Sequence, residues 1–273
     1  MESTLRRTWA EIDLDALAHN YHKLRERIGA DVKFLGVVKA DAYGHGSVQV
    51  SHLLQELGAD YLAVSSIDEA VELRLNDVTM PILILGHTPK EQVSRLIKYH
   101  ITQAVSCEAK ALEYSEEAVK CGGILKIHIK VDTGMNRIGI RPDEAGLAFV
   151  KKALETPGIV VEGIFTHFAR ADEADKTAAN QQLDKFKNFC EEIREKLGVR
   201  IPIQHCSNSA GIVEMKDANM DMVRAGITLY GLWPSDEVRQ DIVELTPALS
   251  WYTHISYIKT VEPGNAVSYG GTF

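Results

Sequence analysis

Lys39 directly follows the apolar run Phe34-Leu35-Gly36-Val37-Val38, so its amine is presented at the end of a segment whose other residues favour burial. Desolvation disfavours the ammonium form and moves a lysine towards the range where the free amine is nucleophilic, which is the chemistry of Schiff-base lysines. A strand-end lysine also commonly reaches solvent along its methylene stem, and spacing alone does not separate these two readings. The neighbours add information: in the run VVKADAYGHG, Tyr43 comes four residues after Lys39, and Gly44 and Gly46 allow backbone to approach a ligand closely.

Other polar residues have plainer readings when taken singly. Tyr269 lies in a glycine-rich turn, where a tyrosine ordinarily packs at an interface with its hydroxyl wetted. His167 reads as a hydrogen-bonded core histidine, Arg137 as a surface arginine and Leu85 as a core leucine. Asn208 and Ser209 read as a helix N-cap pair. Cys107, Cys121, Cys190 and Cys206 show no CxxC or zinc-ribbon spacing and read as reduced thiols.

These residues need elements to hold them. From Lys33 onward, short apolar or β-branched runs alternate with longer segments of helical period, the pattern of βαβ units and a parallel sheet. Strands are predicted at Phe34–Val38, Tyr61–Val64, Ile82–Leu85, Thr102–Val105, Leu125–Val131, Val160–Thr166, Ile201–His205 and Asp221–Arg224. Helices are predicted between them, for example over Ser47–Leu57, Asp68–Leu75, Lys90–Tyr99, Glu108–Lys120, Glu144–Leu154 and Thr177–Leu197. This alternation predicts an α/β fold of the (β/α)8 TIM-type barrel class, and the lack of a GxGxxG or GxxxxGK[ST] loop disfavours a doubly wound open sheet. In such barrels the working residues sit just past the carboxyl ends of strands. The ends differ: Trp9–Leu14 alternates like a strand and Leu249–Val261 is rich in β-formers. The expected organisation is an N-terminal strand in residues 1–14, a barrel over 15–240 and the start of a C-terminal β-domain over 241–273.

Composition narrows the function classes. With 45% hydrophobic and 25% charged residues the chain reads as soluble and globular. Its formal net charge of -8 opposes binding to phosphate backbones or anionic membranes. No run approaches the roughly 18 apolar residues that span a bilayer. The acids within Thr8–Asp13 spoil an export-signal core after Arg6-Arg7, so a cytoplasmic location is expected.

VVKADAYGHG resembles the cofactor-lysine motif of alanine racemases, the barrel-fold class of pyridoxal-phosphate enzymes. KVDTGMNRIGI (Lys130–Ile140), FTHFARAD (Phe165–Asp172), HCSNSAG (His205–Gly211), VRAGITLYG (Val223–Gly231) and VSYGGTF (Val267–Phe273) are similar to further segments of that family, in its order and spacing. The resemblance implies pyridoxal 5'-phosphate as cofactor, L-alanine and D-alanine as substrates, a homodimer, and supply of D-alanine for peptidoglycan. It implies that Lys39 bonds to the cofactor and is the base for the D-enantiomer, while Tyr269 is the base for the L-enantiomer and reaches the site of the partner subunit. Two bases on opposite faces suffice, because racemisation removes a proton from one face and returns one on the other. A tyrosine with a pKa near 10 needs positive or hydrogen-bonding neighbours for that role, and His167 and Arg224 could supply them.

The implied cofactor site comprises Lys39, Tyr43, Leu85, His167, Asn208, Ser209, Arg224, Gly226 and Ile227. The phosphate is expected near Tyr43, Ser209, Gly226 and Ile227, Leu85 and His167 against the ring, and Arg224 at the pyridine nitrogen. A guanidinium there donates a hydrogen bond without giving up its proton, which weakens the ring as an electron sink and favours prompt reprotonation. Arg137 matches an arginine that contacts the cofactor's phenolic oxygen and the substrate carboxylate region, and Lys130 a lysine that is carbamylated in some members.

The chain departs from the family at its end. Members continue through a β-domain that completes the partner's site and contributes a second phosphate-binding tyrosine and a substrate-contacting methionine. A truncated form is therefore expected, with apolar residues around Trp233, Leu249 and Trp251 exposed and residues near Phe273 frayed. Two alternatives stand beside racemisation of alanine: a fold-related pyridoxal enzyme such as a serine racemase or decarboxylase, and a pyridoxal-phosphate-binding barrel without turnover. The tyrosine of SYGGTF favours racemisation.

Overall fold

A computed structural model describes residues 7–272 of the chain, so Phe273 of the VSYGGTF segment and residues 1–6 lie outside the described residues. Short strands and helices alternate through it in chain order: β1 (Thr8–Ile12), α1 (Leu14–Ile28), β2 (Lys33–Val37), α2 (Ser47–Glu56), β3 (Tyr61–Val64), α3 (Ile67–Leu75) and β4 (Ile82–Ile84). There follow α4 (Val93–Lys98), β5 (Ile101–Val105), α5 (Glu108–Lys120), β6 (Leu125–Lys130), α6 (Glu144–Glu155), β7 (Ile159–Phe165), α7 (Thr177–Leu197), β8 (Ile203–His205), α8 (Ser209–Glu214), β9 (Met222–Ala225) and β10 (Leu249–Thr253). The chain divides into two compact units, one running from Asp13 to Ala248 and the other combining the two ends.

In the larger unit, eight parallel strands lie side by side in the order β8, β7, β6, β5, β4, β3, β2, β9. The remaining seam is bridged by the Asp221 N–H donating to the Gln204 carbonyl at 3.1 Å and the Arg224 N–H donating to the Ser207 carbonyl at 3.0 Å. This nearly closed (β/α)8 barrel is the expected fold, and each strand lies within two residues of its predicted bounds. Its interior holds Leu35, Val37, Tyr61, Ala63, Leu83, Ile203 and Met222, which pack as one apolar cluster. The helices begin where side chains satisfy their free N–H groups: Asp13 caps α1, Ser66 caps α3 and Asp143 caps α6.

Residues 241–248 belong with the barrel unit, whereas the sequence assigns them to the following domain. The reason is a polar latch. Buried Asn20 of α1 donates to the carbonyls of Leu229 (3.1 Å) and Thr246 (2.8 Å) and accepts from the Thr246 N–H (2.8 Å). Val243 and Ala248 are buried beside it in sequence.

In the smaller unit β1 pairs antiparallel with β10, from Thr8 opposite Thr253 to Ile12 opposite Leu249, and Trp9 stacks on Tyr252 at 5.4 Å. Within the β-rich stretch Leu249–Val261 the described strand covers Leu249–Thr253. Leu249 and Trp251 are exposed as expected, while Trp233 is half-buried.

Candidate active site

A cavity of about 300 Å³ opens at the carboxyl ends of the barrel strands, the position where barrels carry their chemistry. Lys39 and Tyr43 enter it after β2, Leu85 after β4, His167 after β7, Asn208 and Ser209 after β8, and Arg224, Gly226 and Ile227 on or just beyond β9. Every residue of the implied cofactor set thus lines one cavity. Arg137 does not line it. Arg137 is exposed on the loop after β6, and Tyr269 belongs to the smaller unit, where it is fully exposed. A second cavity of about 280 Å³, around Arg74 and Lys126, offers less unspent chemistry. Arg74 already donates to the carbonyls of Tyr99, Val78 and Met80, and Lys126 is paired with Glu162.

The β9 side of the cavity is built around Arg224, which is buried. Its Nη2 donates to the carbonyls of Thr166 (2.8 Å) and Cys206 (2.9 Å) and faces His167 Nδ1 at 3.1 Å, while Nη1 donates to His205 Nδ1 at 2.9 Å. A guanidinium has only donors, so both imidazoles must accept through Nδ1 and carry their proton on Nε2. Burial lowers the Arg224 pKa to about 10, which leaves it charged at neutral pH. Burial, and then the charge of Arg224, pushes His167 down to about 2 and His205 far below the usual imidazole range. Both histidines are therefore neutral, fixed acceptors towards Arg224.

Beside them, Lys130 is buried, with Nζ donating to the Val131 carbonyl at 2.9 Å. Burial and then Arg224 lower it to about 7. The positive charges of Arg224, Lys130, Arg137 and Lys39 all act on His167, so the cavity is a local cationic focus in a chain of formal net charge -8.

The opposite side is built on the segment after β2. Ala40, Asp41, Ala42 and Tyr43 have φ between 51° and 55°, a left-handed turn of four successive residues that each carry a Cβ. Side chains hold it. Glu69 of α3 accepts from the Ala40 N–H at 2.7 Å and from the Ser65 N–H and hydroxyl at 2.7 and 2.8 Å, and Asp41 accepts from the Ser47 N–H at 2.7 Å. The turn carries Tyr43 away from the strand direction and sets its ring 5.0 Å from that of Tyr230. Lys39 is half-buried at the cavity mouth rather than enclosed.

One corner is shaped for an anion. Ser209 Oγ accepts from the Gly226 N–H at 3.0 Å, and a Cβ placed on Gly226 would stand 3.2 Å from Tyr43 Oη and 3.5 Å from Ser209 Oγ. The bare glycine thus leaves room where two hydroxyls converge. Asn208 also fills its plainer role, capping α8 through a 3.1 Å bond from the Gly211 N–H.

Several contributors escaped the sequence reading. His205 ends β8 and could have been found by the strand-end rule, whereas Asp172 lines the cavity from seven residues past the end of β7. Glu69 had no signal, since its place on α3 looks like any first-turn acid of a helix. Gln182 of α7 likewise looks like a surface glutamine, yet it is buried. It accepts from the Ala169 N–H at 2.8 Å and donates to the His167 carbonyl at 3.2 Å.

Residues 12–234 match the family model described as alanine racemase, N-terminal domain. The chain is 47% identical over 268 residues to an alanine racemase of Halothermothrix orenii, covering 98% of this chain and 70% of that protein. It is 43% identical over 273 residues to one of Desulfosudis oleivorans, covering 97% and 70%. Among solved structures, alanine racemase of Clostridium difficile 630 superposes with a TM-score of 0.93 at 43% identity, over 99% of this chain and 70% of that one. Alanine racemase of Bacillus anthracis with bound L-Ala-P superposes with a TM-score of 0.88 at 38% identity, over 98% and 69%.

Proposed function

This chain belongs to the alanine racemase family, and from that premise we propose that it interconverts L-alanine and D-alanine with pyridoxal 5'-phosphate as cofactor. The observation that carries the reading is the convergence of Lys39, the Tyr43–Ser209–Gly226 corner and Arg224 on one cavity. That donor set fits the cofactor. The amine of Lys39 would hold it covalently, Tyr43, Ser209, Gly226 and Ile227 its phosphate, Leu85, His167 and Asn208 its ring and flanks, and Arg224 the ring nitrogen. When bound, pyridoxal phosphate withdraws electrons from the substrate's α-carbon and so makes its proton removable.

The chain's own residues supply the rest. Arg224 keeps its protons, because a group with a pKa of about 10 remains a donor at neutral pH, and four acceptors fix its plane. Lys39 sits on a turn braced by Glu69 and is the base for the D-enantiomer. Tyr269 is assigned as the base for the L-enantiomer, acting on the site of the partner subunit of a homodimer. Arg137 is assigned to the substrate carboxylate, in keeping with its positive field at His167. The four free cysteines suit a cytoplasmic enzyme that supplies D-alanine for peptidoglycan. A second reading, a cofactor-binding barrel without turnover, is favoured by one observation: the barrel unit by itself contains every residue of the implied cofactor cavity.

Incubating the chain with pyridoxal phosphate and D-alanine in heavy water separates these readings. Racemisation gives exchange of the α-proton together with L-alanine, exchange alone leaves a cofactor-loaded barrel with one working base, and cofactor binding with neither supports the binding reading. Borohydride reduction that leaves no pyridoxyl adduct on Lys39 would overturn both.

A further inference from the structure

Arg224 is not the end of its own hydrogen-bond chain. His205, fixed as the Nε2–H tautomer by the guanidinium, donates to His128 Nδ1 at 3.0 Å, which leaves the proton of neutral His128 on Nε2. That Nε2 is buried, has no hydrogen-bond partner within normal range among the described residues, and faces Glu162 Oε2 at 3.6 Å. Glu162 also accepts from Lys126 at 2.6 Å and Thr102 at 3.4 Å. Tyr61, Thr102 and Lys126 are first or second residues of β3, β5 and β6, so the line crosses the barrel interior from its carboxyl end to its amino end.

The backbone is shaped to permit this line. Ile127 pairs with Val161 but His128 pairs with Gly163, so Glu162 is the extra residue of a bulge in β7. Bulges redirect a side chain, and here the carboxylate is brought to the imidazole. A Cβ on Gly163 would stand 2.5 Å from the His128 ring, so only glycine leaves the ring its place. Burial alone would raise the Glu162 carboxyl, but the nearby His128, Lys126 and Tyr61 hold it at about 2.

We propose that His128 and Glu162 are positioning residues for the reaction: through a one-directional line Arg224–His205–His128–Glu162 they accept from and orient the His205 ring, whose tautomer Arg224 fixes, and thereby hold the Arg224 guanidinium in the cavity. The link from Arg224 to the cofactor rests on the function proposed above, whereas the line itself does not.

Nitrogen-15 NMR of the histidine rings in the unloaded chain tests the line directly. Both His205 and His128 should be neutral Nε2–H tautomers, and an Nδ1–H or doubly protonated ring at either position overturns the proposal. His128→Phe, which keeps the ring volume, should leave the His205 Nε2–H without its acceptor, shift the His205 ring resonances and broaden the Arg224 Nε–H resonance. Glu162→Gln should shift the His128 resonances and, less strongly, those of His205, which keeps the test available if His128→Phe does not fold. Unchanged His205 and Arg224 signals in the folded variants would reduce the line to packing and overturn it. With pyridoxal phosphate added, the visible absorbance maximum of the bound cofactor should shift in the His128→Phe protein. If the unmutated chain binds no cofactor, the functional reading fails while the tautomer measurements still judge the line.

Discussion

The two sides of the cavity are built on opposite principles. On the β9 side, Arg224 is buried and bonded to two carbonyls and two imidazoles, with every tautomer determined by its donors. On the β2 side, Lys39 is half-buried at the head of a left-handed turn, and Tyr43 is 40% exposed, so its hydroxyl end remains open to the cavity. The difference fits two tasks. A group that must keep its protonation state gains from burial and satisfied bonds, whereas an amine that must form and break bonds with ligands needs access. Changes on one side should therefore damage chemistry and on the other stability.

The largest expected effect is on the open side. Lys39→Ala should abolish the reducible cofactor bond and lower racemisation by at least about 100- to 10,000-fold. Its thermal midpoint should hardly move, since no bond of its side chain supports the fold, and a large fall in midpoint would break the comparison. On the closed side, Arg224→Leu should remove the donors of the Thr166 and Cys206 carbonyls and cost about 3 kcal/mol, read as a midpoint lower by roughly 6–12 °C.

Two glycines sharpen the contrast further. Gly163→Ala drives a methyl into the buried His128 ring and should cost about 1–3 kcal/mol in denaturant unfolding. Gly226→Ala meets only Tyr43 and Ser209 hydroxyl oxygens, at 3.2 and 3.5 Å, and should leave stability nearly unchanged while weakening pyridoxal phosphate binding in a titration.

Lys130 gives a pH signature. Its folded pKa of about 7 lies below the ordinary lysine value, so between about 7 and 10.5 the unfolded chain binds more protons and stability rises with pH. The slope from this one group is at most about 1.4 kcal/mol per pH unit, and below about 7 its contribution is flat. Lys130→Met should remove the slope in urea melts across that window, and an unaltered slope would show that the amine is not desolvated. The smallest expected effect returns to the open side. Glu69→Gln replaces one acceptor oxygen with a donor facing the donors of Ala40 or Ser65, and should cost about 1 kcal/mol with faster amide exchange at Ala40.

The barrel was legible because each strand is a short apolar run and each helix has a period of its own, signals carried by neighbours along the chain. The end of the barrel at Ala248 was not legible, since it depends on Asn20 bonding to Thr246 across more than 200 positions.

At the site, residue type and spacing singled out Lys39 with Tyr43, whereas His167, Ser209, Arg224 and Gly226 entered only through the resemblance of whole segments to a known family. Tertiary structure alone decided how they act. The neutrality of His205 and His167 follows from desolvation and from facing a guanidinium, neither of which exists in the unfolded chain. The left-handed turn after Lys39 carries no glycine among its four residues and is held by Glu69 from α3 and by the bond that its own Asp41 accepts from Ser47. The bulge that brings Glu162 to His128 looks, in sequence, like an ordinary polar position in a strand. Local pattern determines which elements form, but burial and pairing between distant segments determine which side chains are charged, which way they point and what they touch.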